Sequence, residues 1–197
     1  WRNIKLEQTY SIELKNITKR FGKIVANDGI NLKVKRGEIL SLLGENGSGK
    51  TTLMNMISGI YFPDEGHILV DGKAVSIRSP KDSFDLGIGM IHQHFKLIDV
   101  MTAAENIILG LKGNAVLDMK KVHKDIQELV DRYGFDLDPA QKVYTMSVSQ
   151  KQTVEIVKML YRGANILILD ETTAVLTPQE VDKLFEVLRN MRDDGRA

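Results

Sequence analysis

The chain has 197 residues, 43% apolar and 27% charged, a balance that suits a soluble globular domain with a sizeable core. Its 27 basic and 26 acidic side chains leave a formal net charge of +1, so there is no electrostatic case for a nucleic-acid partner or a charged membrane surface. Cysteine is absent, which excludes disulfides, thiol nucleophiles and Cys-ligated zinc and suits a cytoplasmic setting.

The opening WRNIKLEQTYSIEL is too polar for a secretory signal, and without an initiator Met it suggests a piece cut from a longer chain. SIELKNIT (Ser11 to Thr18) and INLKVKRG (Ile30 to Gly37) alternate, which predicts half-exposed strands. EILSLLG (Glu38 to Gly44) is a nearly continuous apolar run, predicting a strand covered on both faces as in a parallel sheet. KTTLMNMISG (Lys50 to Gly59) reads as a helix with a glycine stop. Turn signals at Pro63 to Gly66 and at Asp71-Gly72 predict a β-hairpin. GIGMIHQHF (Gly87 to Phe95) reads as a further buried strand, and Thr102 to Arg132 turns helical, with Val122, Ile126, Leu129 and Val130 on one face. A helix over Ser149 to Arg162, a strand over Asn165 to Asp170 and a helix over Pro178 to Met191 complete the outline. No apolar run reaches the ~18 residues a membrane-spanning helix needs.

GENGSGKT fills the pattern G-x-x-x-x-G-K-[ST] between a strand pattern and a helix pattern, which is the setting of a phosphate-binding loop. Gly44, Gly47 and Gly49 permit tight curvature, so the amides from Gly44 through Glu45, Asn46, Gly47, Ser48 and Gly49 can turn inward towards phosphate oxygens. The helix start adds partial positive charge. Lys50 is expected to reach the β- and γ-phosphates, Thr51 to ligand Mg²⁺, and Thr52 to hold the α-phosphate. NILILDE ends a branched apolar strand in two acids, so Asp170 is expected as a metal ligand and Glu171 as the group that orients or deprotonates the attacking water. His92 and His94 look like a metal pair, but with no third clustered ligand they are read as structural.

MSVSQKQTVEI (Met146 to Ile156) lies just upstream of that acidic strand, and with it the chain resembles, almost end to end, an ATP-binding cassette (ABC) ATPase. The resemblance implies an α/β P-loop NTPase core with an N-terminal antiparallel β subdomain and an inserted α-helical subdomain over about 97–162, all within one domain. It gives Ser147, Ser149 and Gln150 the signature slot that closes on the γ-phosphate held by an opposite subunit. It makes Gln93 the glutamine linking metal and γ-phosphate to the helical insert, and Phe21 the aromatic stacked on adenine. TAVLTPQE (Thr173 to Glu180) resembles the loop that crosses to the partner cassette. The longer stretches GENGSGKTTLMNMISGIYFPDEGHILVDGK and LYRGANILILDETTAVLTPQE are similar to the first half of tandem ATPases serving simple-sugar or nucleoside importers.

The expectations that follow are ATP and Mg²⁺ as cofactors, a second cassette and membrane permease subunits as partners, no nucleic acid, and a peripheral place at the inner face of the cell membrane. Three positions depart from the family pattern: Ser149 for a glycine, Thr153 for an arginine and Thr172 for a proline. The family's γ-phosphate histidine has no counterpart, because all four histidines precede Asp170. Those departures keep open two alternatives, a non-transport ABC protein and a regulatory nucleotide-binding module impaired in hydrolysis.

Overall fold

The computed structural model describes residues 10–92, 95–111, 118–170 and 176–197. The chain divides into two compact units, one of residues 1–88 and 192–197, the other of residues 89–191.

The first unit is built on an antiparallel sheet of order β2-β1-β3-β4. β1 (Tyr10–Phe21) and β2 (Ile24–Lys35) pair along most of their length, and β3 (Glu65–Val70) covers the other edge of β1. Ile12, Leu14 and Ile17 of β1 are buried with Val34, Ile68 and Val70. β1 is less cleanly alternating than its sequence suggests, since Glu13 is also buried, held between Lys15 at 3.8 Å and Lys33 at 3.6 Å. β3 turns into β4 (Lys73–Val75) through Asp71 and Gly72, both at positive φ (48° and 74°), so the expected hairpin forms with the two-residue turn that suits twisted strands. α1 (Lys50–Ile57) follows the phosphate loop and buries Leu53, Met56 and Ile57. α2 (Pro80–Asp85) is a helix that the sequence outline lacks; Ser79 caps it by accepting from the Asp82 amide, with Pro80 in the first turn.

The run Glu38–Gly44, expected as a buried strand, is not one. Ile39 and Leu40 are exposed and Leu43 is 92% exposed. A strand exists only through a neighbour's backbone hydrogen bonds, and none of the described residues pairs with this run in a ladder. Apolar composition alone does not supply that partner.

The second unit takes in all but the first residue of β5 (Ile88–Ile91), which pairs with β6 (Ile166–Leu169) in a two-stranded sheet. Among the described residues it also holds four α-helices, the last of which ends just past its boundary. These are α3 (Ala103–Ile108), α4 (Met119–Tyr133), α5 (Val148–Tyr161) and α6 (Pro178–Asp193). The core joins Ile107 of α3, Val122, Ile126 and Val130 of α4, Val154 and Val157 of α5 and Val187 of α6. The apolar face expected of α4 is therefore the face that is buried. Asn106 is fully buried and ties the segment before α3 to the helix, accepting from the Ile98 amide at 2.7 Å and donating to the Ile98 and Thr102 carbonyls at 3.0 Å. Among the described residues, no helix is long and apolar enough to cross a membrane.

Candidate nucleotide-binding site

The phosphate loop lies in the first unit and turns as its glycines require. Gly47 has φ 85° and Gly49 has φ 89°, and Gly49 is the residue from which α1 starts, without a side-chain cap. The first helical bond runs from the Leu53 amide to the Gly49 carbonyl at 2.9 Å. The amides of Lys50, Thr51 and Thr52 precede it and stand at the positive end of the helix. No acidic side chain in the first turn of α1 competes for that end.

Lys50 folds back over the loop. Its ammonium donates to the Gly44 carbonyl at 2.7 Å, the Glu45 carbonyl at 2.8 Å and Ser48 Oγ at 3.4 Å, while the Ser48 amide closes a turn on the Glu45 carbonyl at 3.2 Å. Glu45, Asn46, Gly47, Ser48 and Thr51 are exposed. The structure thus brings the residues from Gly44 to Thr52 together around one lysine, with open backbone amides beside a cation. That is the donor set a polyphosphate requires.

Gly49 also meets β2. Its carbonyl accepts from Asn27 Nδ2 at 3.3 Å, and a Cβ at Gly49 would stand 2.3 Å from the Ala26 carbonyl oxygen. Nothing in the sequence signals this contact, because the partners lie 22 residues apart. Phe21, at the end of β1, is 41% exposed rather than packed in the core. Tyr61 meets it edge to face, with ring centroids 5.2 Å apart, and the Lys19 ammonium is 5.4 Å from its ring centre.

The remaining candidates belong to the second unit. Asp170 follows β6, is half-buried, and its amide donates to the Ile91 carbonyl at 3.2 Å. Burial pushes the His92 imidazole below its ordinary pKa and Lys96 lowers it further, while Asp170 and Glu155 pull the other way. No group of three or more His, Cys, Asp or Glu residues able to hold a metal occurs among the described residues. Gln93, Glu171, His94, Thr172 and Thr173 lie outside the described residues.

Ser147, Ser149 and Gln150 sit together at the start of α5, as a helix-opening signature requires. Ser147 Oγ accepts from the Gln150 amide at 3.3 Å and Gln150 Oε1 accepts from the Ser147 amide at 3.0 Å, a reciprocal cap legible in the spacing Ser147-x-x-Gln150. Ser149 Oγ lies 3.1 Å from Ser147 Oγ, and Thr153 Oγ1 donates to the Ser149 carbonyl at 3.1 Å. The Glu180 carboxyl of α6 is held below the ordinary range, first by the Thr177 amide and then by the nearby Ser149 hydroxyl. The serine that replaces glycine is thus absorbed into hydrogen bonds within this unit.

A glycine loop wrapped on its own lysine at a helix start has the geometry of a phosphate-binding loop. Two solved structures give the fold match. An ATP-binding cassette of an ABC transporter in its ADP conformation aligns over 95% of this chain and 78% of that one, with a TM-score of 0.84 at 24% identity. A dimeric bacterial ABC transporter cassette aligns over 94% of this chain and 84% of that one, with a TM-score of 0.76 at 28% identity. The ABC transporter family model matches residues 27–174, and the chain belongs to that family. Similar proteins include the guanosine import ATP-binding protein NupO of Bacillus subtilis (strain 168), 52% identical over 190 residues, and the nucleoside import ATP-binding protein NupA of Lactococcus lactis subsp. cremoris (strain MG1363), 51% identical over 188 residues. These alignments cover 95% and 94% of this chain and 37% of each relative, so the chain spans little more than a third of their length.

Proposed function

We propose that this chain is the ATP-binding, ATP-hydrolysing cassette of an importer for a nucleoside or simple sugar. The observation that carries the reading is the phosphate loop, with its open helix-start amides and its lysine already at the loop's mouth. The names of the similar proteins, which import guanosine, nucleosides and ribose, favour this solute class.

In this reading the loop amides and Lys50 bind the β- and γ-phosphates, where charge-assisted hydrogen bonds are strongest. Thr52 holds the α-phosphate, and Phe21 offers an exposed ring for the adenine. Thr51, an exposed residue, suits Mg²⁺ among oxygen ligands, and Asp170 and Gln93 would be the further residues to hold the ion. The metal supplies neutralisation of the phosphate charge. Glu171 orients or deprotonates the attacking water. Ser147, Ser149 and Gln150 present a capped helix start to the nucleotide of a second cassette, and closure of the two cassettes on ATP is what drives transport. Permease subunits provide the attachment to the inner face of the membrane.

Titrating Mg-ATP into the chain by calorimetry tests the reading. The wild-type chain should bind, and Lys50→Ala should bind about 30-fold more weakly, the loss of a charged hydrogen-bond donor worth ~2 kcal/mol. Equal affinities would remove the role given to Lys50.

A further inference from the structure

The phosphate loop is held from outside by a side chain that no loop pattern contains. α1 starts at Gly49 without a side-chain cap of its own, yet the Gly49 carbonyl accepts a second hydrogen bond, from Asn27 Nδ2 of β2. Asn27 is 6% exposed and stands directly behind the loop, since a Cβ on Gly49 would approach Asn27 Nδ2 to 2.8 Å. Turning the carboxamide over would set its oxygen against the Gly49 oxygen, acceptor against acceptor, so the amide nitrogen must face the loop. That orientation leaves Asn27 Oδ1 buried without a partner among the described residues, a cost the fold accepts at this position.

We infer that Asn27 is a positioning residue for nucleotide binding: acting through Gly49, its carboxamide fixes the start of α1 so that the amides of Lys50, Thr51 and Thr52 meet the polyphosphate. The inference rests on the proposed function and deepens it by adding a residue remote from the loop pattern. Aspartate is the informative replacement because it keeps the shape. Protonated, it donates to the Gly49 carbonyl as asparagine does. Ionised, it sets acceptor against acceptor and brings a negative charge to the helix end that the phosphates need.

The experiment is Mg-ATP affinity of wild type and Asn27→Asp between pH 5.5 and 8, with thermal unfolding of both proteins at each pH. The ratio of the two affinities cancels the titration of ATP itself. Burial at this position raises the new carboxyl well above the ordinary aspartate value of about 3.9, so Asn27→Asp should bind about 10-fold more weakly at pH 8 and regain part of that loss by pH 5.5. A ratio near one at every pH, with wild type binding normally, overturns the positioning role alone. A loss that does not recover on acidification marks a general structural defect and also overturns it. A wild-type chain that binds no ATP removes the proposed function, and the positioning role with it.

Discussion

Gly49 and Gly47 form a matched pair of perturbations. Both have strongly positive φ, 89° and 85°, so alanine at either position carries the same backbone cost of about 1–2 kcal/mol. The added methyl meets different surroundings. At Gly47 none of the described residues lies within 4 Å of the added Cβ, whereas at Gly49 the Cβ would stand 2.3 Å from the Ala26 carbonyl oxygen and 2.8 Å from Asn27 Nδ2. Real Cβ contacts do not fall below 3.0 Å, so the loop must withdraw from β2 by about 0.7 Å. Forced displacements of that kind cost a further ~1–3 kcal/mol. Urea unfolding should therefore show Gly47→Ala destabilised by about 1–2 kcal/mol and Gly49→Ala by about 2–5 kcal/mol. Equal losses would refute the claim that β2 backs the loop.

Other consequences are simpler to measure. Removing the Ser147 cap in Ser147→Ala should cost about 1 kcal/mol in denaturant unfolding, because an orphan amide at the α5 start loses its acceptor. The Asp64 carboxyl is held below its ordinary value of 3.8, first by the Arg20 amide and then by the Lys19 side chain. A lowered carboxyl pKa contributes stability above 3.8 that is lost as pH falls through the folded-state value. The thermal-stability gap between wild type and Asp64→Asn should accordingly be constant at neutral pH and shrink in acid below that value; a constant gap throughout would contradict the assigned hydrogen bonds.

What was legible in the sequence is local. The phosphate loop, the Asp71-Gly72 turn and the apolar stripe of α4 each depend on neighbours within a few residues, and each appears where its pattern sits. The family, too, was legible in the motifs that carry the resemblance. Glu38–Gly44 shows the limit, since an apolar run reports a wish for burial while a strand needs a partner from elsewhere in the chain. The Asn27 contact to Gly49 and the Tyr61 ring against Phe21 were invisible for the same reason, being made across 22 and 40 residues. α2 and the Ser147 cap are different. Their signals, Ser79-Pro80 with Asp82 and Ser147 with Gln150, stood in the sequence and needed only to be read as caps.

The most direct measurement is a crystal structure of the chain grown with Mg²⁺ and a non-hydrolysable ATP analogue. The account predicts phosphate oxygens within hydrogen-bond distance of the backbone amides from Gly47 to Thr52, with the Lys50 ammonium turned from the Gly44 and Glu45 carbonyls towards the β- and γ-phosphates. An analogue seated elsewhere, or a loop that keeps its lysine on those carbonyls while the nucleotide is bound, would contradict it.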